Sequence, residues 1–146
     1  MNIAMSYLDH RSAGIEQREA FSYTKSAMAE LYTEICGLPE VQGAVILSTC
    51  NRTELYLSLA DEINEEPYEV LCRTAGKDPE QYAGCFETLY GHDALLHLCE
   101  LSSGMLSQIW GEDQIITQVK DAIVFARENK ATDSILEVLF RTAVTA

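Results

Sequence analysis

Two apolar runs separated by four polar residues constrain the fold of the first half of the chain. The run GAVILS (43–48) is continuous and rich in β-branched residues, which predicts a buried strand. After TCNR (49–52), leucines alternate with other residues over 55–59, which predicts a half-buried strand. The two strands and their short connection predict a hairpin, so the chain is expected to build a sheet around them.

The remaining pattern alternates further strands with helices and then becomes wholly helical. Ser22 is predicted to cap the first helix, and Ser134 with Glu137 the last one. The order βα-ββα-β followed by helices predicts an α+β fold, with a ferredoxin-like sandwich over 1–90 and a helical extension over 91–146. The other predicted elements are strands at 3–8 and 85–90 and helices at 22–36, 67–75, 92–103, about 105–129, and 133 to the end.

Length and composition are those of one ordinary globular domain. The chain has 146 residues and a net charge of −13, which argues against a general nucleic-acid surface and is typical of a soluble protein. No apolar run approaches the roughly 20 residues of a membrane span, and the start lacks a signal-peptide pattern. Five widely spaced cysteines without a CxxC pair predict reduced thiols and a cytoplasmic location.

Cys50 is the first candidate for chemistry. Free cysteines are usually buried and inert, but Cys50 follows the end of a predicted buried strand, where a rigid frame can present a reactive group. Arg52 is close enough to favour the thiolate, and it could also hold a substrate carboxylate. The alternative for Arg52, a solvated residue of the turn, is left open by the pattern alone.

His97 is the second candidate. In its predicted helix, Leu95, Leu98, Cys99 and Ser102 form the stripe expected to be buried, and His97 falls away from it. A histidine there can act as a general acid or base. The alternative is a partly exposed or hydrogen-bonded histidine without a role.

A polar stripe is the third candidate. On one continuous helix, Ser107, Gly111, Gln114 and Gln118 would share a face with neutral hydrogen-bonding groups, which favours a small polar ligand over a solvated face. No HxxxH, HExxH or zinc-finger spacing is present, so no metal site is predicted. Neither GxGxxG nor GxxxxGK[ST] occurs in the chain.

These residues together resemble a known enzyme family. STCNRTELY (48–56) is similar to the motif of glutamyl-tRNA reductase, the enzyme that starts tetrapyrrole synthesis, including that of porphyrins and haem. Residues 97–122 resemble the family's HLxxVxxGLDSxxxGExQIxxQVKxA. LDHRSA (8–13) and LFRTA (139–143) resemble its NHKTA and LFxxA elements. The resemblance therefore covers nearly the whole chain in order.

The resemblance implies a mechanism. Cys50 would attack the ester between glutamate and tRNA, and NADPH would reduce the thioester to glutamate-1-semialdehyde. His97 would assist proton transfer to the leaving ribose oxygen, and Arg52 would contact a glutamate carboxylate. The positions that match substrate contacts of the family are Thr49, Asn51, Arg52, Ser107, Glu112, Asp113, Gln114 and Gln118.

The resemblance also implies partners and further domains. The family binds NADPH in a Rossmann domain and dimerises through a helical domain, and both are expected to be absent from this chain, which alone would not reduce its substrate. Glutamyl-tRNA is the implied substrate, and the next pathway enzyme, an aminomutase, is a candidate partner. Two positions depart from the family motif, Leu106 in place of an acid and Trp110 in place of a small aliphatic residue.

Two other functions compete with the reductase. One is a stand-alone cysteine-dependent esterase that uses the same thiol without NADPH. The other is a non-catalytic module that binds a small acidic metabolite.

Overall fold

A computed structural model describes residues 2–61, 63–104 and 114–145. Four strands in these residues form one sheet in the order β2-β3-β1-β4, and every neighbouring pair is antiparallel. The strands are β1 (Ile3–Asp9), β2 (Val41–Ser48), β3 (Arg52–Leu59) and β4 (Glu87–Tyr90). The predicted hairpin is therefore confirmed as the β2–β3 pair.

Helices cover this sheet, and the predicted mixture of helices and strands is confirmed. The described helices are α1 (Ile15–Ala20), α2 (Lys25–Cys36), α3 (Pro67–Thr74), α4 (Pro79–Tyr82), α5 (His92–Ser102), α6 (Ile115–Glu128) and α7 (Ser134–Thr145). Among the residues in the three described ranges, no helix has the length and apolar character needed to cross a membrane.

Two helix starts differ from the predicted caps. Thr24, not Ser22, caps α2, because its Oγ1 accepts the backbone N–H of Ala27 at 3.2 Å. Asp133 caps α7 by accepting the N–H of Leu136 at 2.9 Å, and Ser134 is already the first helical residue. In both places a neighbouring side chain with the same capping chemistry competes for the position.

Strand β3 is buried along its whole length, so the prediction of a half-buried strand is wrong. On one face, Thr53 donates to the Phe21 carbonyl, and α2 and α3 pack against this side of the sheet. On the other face, Tyr56 packs edge-on against Phe140 of α7, and α5 packs beside α7. The alternation of side chains along β3 therefore separates two buried environments, not a core from solvent.

Candidate active site

The β2–β3 turn presents Cys50 at the surface. The Thr49 N–H donates to the Arg52 carbonyl at 2.9 Å, and Thr49 Oγ1 accepts the N–H groups of Asn51 and Arg52, each at 3.2 Å. Cys50 is exposed between these bonds, whereas Cys72 of α3 is fully buried. The predicted position of Cys50, just beyond a buried strand, is confirmed.

Arg52 points into the protein and not into solvent. Arg52 is only 1% exposed, and its Nη1 lies 3.3 Å from Glu54 Oε2 and 3.7 Å from Asp9 Oδ2. The alternative of a solvated turn residue is therefore wrong. Arg52 directly follows Cys50 and Asn51, and its guanidinium places a positive charge in the interior of the protein.

Glu54 is the centre of a buried charge network. It has no exposed surface, its Oε1 accepts the Tyr56 hydroxyl at 2.7 Å, and its Oε2 lies 2.9 Å from His97 Nε2. Burial raises the pKa of this carboxyl, but His97, Arg52 and the Tyr56 hydroxyl outweigh that effect and hold the pKa below its usual range. Glu54 is therefore an ionised carboxylate inside the protein.

His97 belongs to the buried face of α5, which corrects the sequence prediction. It is 6% exposed and shares its buried face with Ala94, Leu98 and Leu101. The prediction failed because two apolar stripes overlap on α5, and the buried one contains Ala94 and Leu101 rather than Leu95 and Cys99. Here the sheet beneath α5 carries a carboxylate, and an imidazole satisfies it where an apolar side chain would not.

A second contact fixes the His97 ring from its face. The ring stacks on Tyr7 of β1 with centroids 4.2 Å apart and planes 26° apart. The Tyr7 hydroxyl in turn donates to Glu87 of β4. His97 is thus held by a hydrogen bond between Nε2 and a carboxylate, and by an aromatic ring stacked on one face of the imidazole.

Asp9, the last residue of β1, extends the network to the LDHRSA segment. Its Oδ2 accepts from Arg11 Nη2 at 2.7 Å. Burial raises the pKa of Asp9, but the hydrogen bonds from Arg11 and the charges of Arg11 and Arg52 hold it below its usual range. Asp9, Arg52, Glu54, Tyr56 and His97 are called the buried charge network below. Within residues 2–61, 63–104 and 114–145, no three His, Cys, Asp or Glu side chains are grouped as metal ligands would be.

The predicted polar stripe is described only in part. Helix α6 begins at Ile115, with exposed Gln114 at its N-cap, and the part of the predicted helix over 105–113 lies outside the described residues. Gln118 is half-buried and lines a cavity of about 180 Å³ together with Lys25 and Ser48. The other predicted residues of this region lie outside the described ones: Ser107, Gly111, Glu112 and Asp113.

The sequence prediction missed Asp9, Glu54 and Tyr56 as parts of the network. A signal for them exists: Arg52, Glu54 and Tyr56 recur at every second position of a strand, so they share one face. A basic, an acidic and a phenolic side chain on one face of a strand whose leucines lie on the other face indicate internal pairing.

The fold and the site define a class of protein: an antiparallel α/β domain that carries an exposed thiol on a hairpin above a buried charge network. The family description "Glutamyl-tRNAGlu reductase, N-terminal domain" matches residues 7–146. The chain therefore belongs to the N-terminal domain family of glutamyl-tRNA reductases.

Individual relatives agree with this assignment. The chain is 51% identical to the glutamyl-tRNA reductase of Acetivibrio thermocellus over 146 residues, which are 100% of this chain and 44% of that protein. It is 42% identical over 147 residues to a probable multifunctional siroheme biosynthesis protein of Ruminiclostridium josui, covering 100% of this chain and 28% of the relative.

A solved structure shares the fold. The glutamyl-tRNA reductase from Methanopyrus kandleri matches with a TM-score of 0.74 and 27% identity, over 98% of this chain and 32% of that one. The chain thus spans less than half the length of each of these relatives.

Proposed function

We propose that this chain is the catalytic domain of a glutamyl-tRNA reductase, in which the Cys50 thiol accepts the glutamyl group from glutamyl-tRNA. The observation that carries the proposal is the exposed thiol on a turn closed by three hydrogen bonds. A nucleophile held on a rigid frame loses little orientational freedom when it attacks. Membership of the reductase family supplies the substrate class.

The acylation step balances with the residues present. The Cys50 thiolate attacks the ester carbonyl, a C–S bond forms, and the bond from carbon to the ribose oxygen breaks. The departing ribose oxygen needs a proton, and His97 is the proposed donor. The product is a thioester between the glutamyl group and Cys50.

Release of glutamate-1-semialdehyde requires a hydride, which NADPH supplies when bound. The described residues do not fit a seat for NADPH: β4 passes into α5 through the single glycine Gly91, in the sequence YGHDAL, without the three glycines of a dinucleotide-binding turn. The proposal therefore places NADPH in another domain of the enzyme, and the steps derived for this chain end at the thioester.

The proposed substrate contacts follow the family resemblance. Thr49 and Asn51 flank the thiol, and Gln118 faces the cavity beside β2, which supports a role for them near the glutamyl group. Arg52 stays a prediction as a contact to the glutamate carboxylate, because its guanidinium lies on Glu54 and Asp9. The roles proposed for Gln114 and for Ser107, Glu112 and Asp113 also stay predictions.

We further infer that residues 1–90 form a ferredoxin-like core and residues 91–146 a helical extension. The order β2-β3-β1-β4, the antiparallel neighbours, and the helices α2 and α3 on one face support this topology. The homodimer, the aminomutase contact and the cytoplasmic location implied by the resemblance stay predictions.

The test is a single-turnover reaction of the chain with glutamyl-tRNA labelled in glutamate. Intact-protein and peptide mass spectrometry should find one glutamyl adduct, on Cys50, and Cys50→Ser should abolish it. Cys99→Ser, which changes a thiol outside the turn, is the matched control and should acylate normally. Equal labelling of Cys50→Ser would refute the proposal, and glutamate binding without any adduct would favour the metabolite-binding alternative.

A further inference from the structure

Glu54 holds the ring of His97 by a contact that none of the proposed catalytic steps uses. Its Oε2 lies 2.9 Å from Nε2, and both side chains are buried. The carboxylate itself is anchored, because Tyr56 donates to Oε1 at 2.7 Å and Arg52 Nη1 lies 3.3 Å from Oε2. Glu54 therefore cannot turn away from His97 without breaking bonds that are sheltered from water.

This contact decides which nitrogen of His97 carries a proton. An ionised carboxylate only accepts hydrogen bonds, so Nε2 must be the donor. In the neutral ring, Nδ1 is then the unprotonated nitrogen, as happens when one ring nitrogen is held by a carboxylate. The Tyr7 ring, stacked at 4.2 Å, opposes a flip of the imidazole that would turn Nε2 away from Glu54.

We propose that Glu54 is the positioning residue of the acylation step, fixing His97 as the Nε2–H tautomer so that Nδ1 is the nitrogen that exchanges a proton with the substrate. The inference rests on the proposed function. When the ribose oxygen leaves, it takes the Nδ1 proton of the imidazolium, and the ring remains as the neutral Nε2–H form against Glu54. The negative thiolate and the positive imidazolium are consumed together, so charge balances.

The same carboxylate connects the ring to the thiol-bearing hairpin. Arg52, which contacts Glu54, accepts the N–H of Thr49 in the Cys50 turn through its backbone carbonyl. Glu54 therefore fixes His97 relative to β3, the strand that leaves the turn. His97 lies on α5, 43 positions after Glu54 in sequence, and this contact fixes its position relative to the strand that follows the nucleophile.

The first experiment reads the tautomer directly in the unmodified chain. Nitrogen-15 NMR of the histidine-labelled protein should show His97 as Nε2–H when neutral, with His10→Gln and His92→Gln used to assign the three histidines. An Nδ1–H tautomer for His97 would overturn the assignment of Glu54. This readout needs neither activity nor a variant of Glu54.

The second experiment measures single-turnover acylation by Glu54→Gln, which keeps the shape and removes the charge. Of the roughly 10²- to 10⁴-fold that a positioned acid–base group contributes, we expect this variant to lose about 10- to 100-fold in rate. Glu54→Asp, which restores the charge, should recover part of the rate.

Glu137→Gln is the matched control, since Glu137 also pairs with an arginine, Arg127 at 2.7 Å, but on the surface of α7. It should acylate at the wild-type rate. A folded Glu54→Gln with an unchanged rate would overturn the proposal. If that variant does not fold, the wild-type tautomer decides. A wild-type chain that forms no adduct would refute the proposed function, while the tautomer would still show whether Glu54 fixes the ring.

Discussion

Asp9 and Arg52 are register partners at the ends of β1 and β3, and Arg52 Nη1 lies 3.7 Å from Asp9 Oδ2. Arg52 also closes the Cys50 turn through its backbone. The end of β1, with the LDHRSA segment that follows it, is therefore attached to the thiol-bearing hairpin by an interior ion pair. Removing the guanidinium should affect the fold and the thiol together.

Replacing Arg52 by Leu should destabilise the protein strongly. The change leaves the carboxylates of Asp9 and Glu54 without the cation between them, and breaking a buried pair in this way costs about 3–5 kcal/mol. Urea unfolding at neutral pH measures the effect. The control Arg127→Leu removes an arginine from the exposed pair with Glu137 and should cost much less, because solvent screens that pair. Equal losses would show that the interior pair contributes no more than the surface pair.

The stability of the chain should depend on the ionisation of Glu54 in acid. The pKa of Glu54 in the folded protein lies below its ordinary value of 4.5, because His97, Arg52 and Tyr56 outweigh the effect of burial. Below 4.5 the unfolded chain takes up a proton that the folded chain does not, so the stabilisation is complete above 4.5 and is lost as pH falls through the folded value.

Urea unfolding across the acid range should therefore give a shallower loss of stability with falling pH for Glu54→Gln than for the wild type. Glu137→Gln serves as the comparison, because the pKa of Glu137 is also lowered, through its hydrogen bond from Arg127, but at the surface. It should change the slope less, since solvent screens that pair. A Glu54→Gln curve parallel to the wild type would contradict an ionised carboxylate at this place.

The cysteines should differ in their reaction with iodoacetamide. Cys50 is exposed on its turn and should be alkylated first. Cys72 is fully buried, and burial raises its pKa to about 11, so at neutral pH it is almost entirely the unreactive thiol. Timed alkylation with peptide mass spectrometry gives both rates. Faster labelling of Cys72 than of Cys50 would argue against the turn as the site of the reactive thiol.

The Thr49 side chain should support both the hairpin and acylation. Thr49→Val removes the Oγ1 that accepts from Asn51 and Arg52, and each lost hydrogen bond costs about 1 kcal/mol. We expect a lower thermal midpoint and slower formation of the Cys50 adduct. Thr49→Ser keeps the hydroxyl and should preserve both, and a valine variant as fast as the wild type would show that the turn needs no side-chain support.

The β2–β3 hairpin and its thiol could be predicted from the sequence because the signals for them are local. A β-branched run, a short polar turn and an alternating run determine the strands, and the end of β2 places Cys50. The start of α2 was misjudged by two residues because Ser22 and Thr24 offer the same capping chemistry, and only the folded chain shows which one is used.

The buried charge network was harder to predict because its contacts are distant in sequence. Glu54 is a strand residue whose burial depends on α5, and a single-strand pattern does not reveal that a helix 43 residues away brings a histidine to it. For the same reason, the periodicity of α5 placed the buried stripe on the side of Leu95 and Cys99, whereas the contact with Glu54 shows that the sheet lies on the side of His97.

The burial of β3 on both faces limits how the length of this domain can vary. Inserting one residue between Arg52 and Leu59 would move every later side chain to the opposite face. Glu54 or its successors would then enter the layer under α2 and α3, and leucines would meet His97. Related chains that keep this fold should therefore preserve the number of residues between the thiol and the buried carboxylate, and should accept insertions in connecting loops elsewhere.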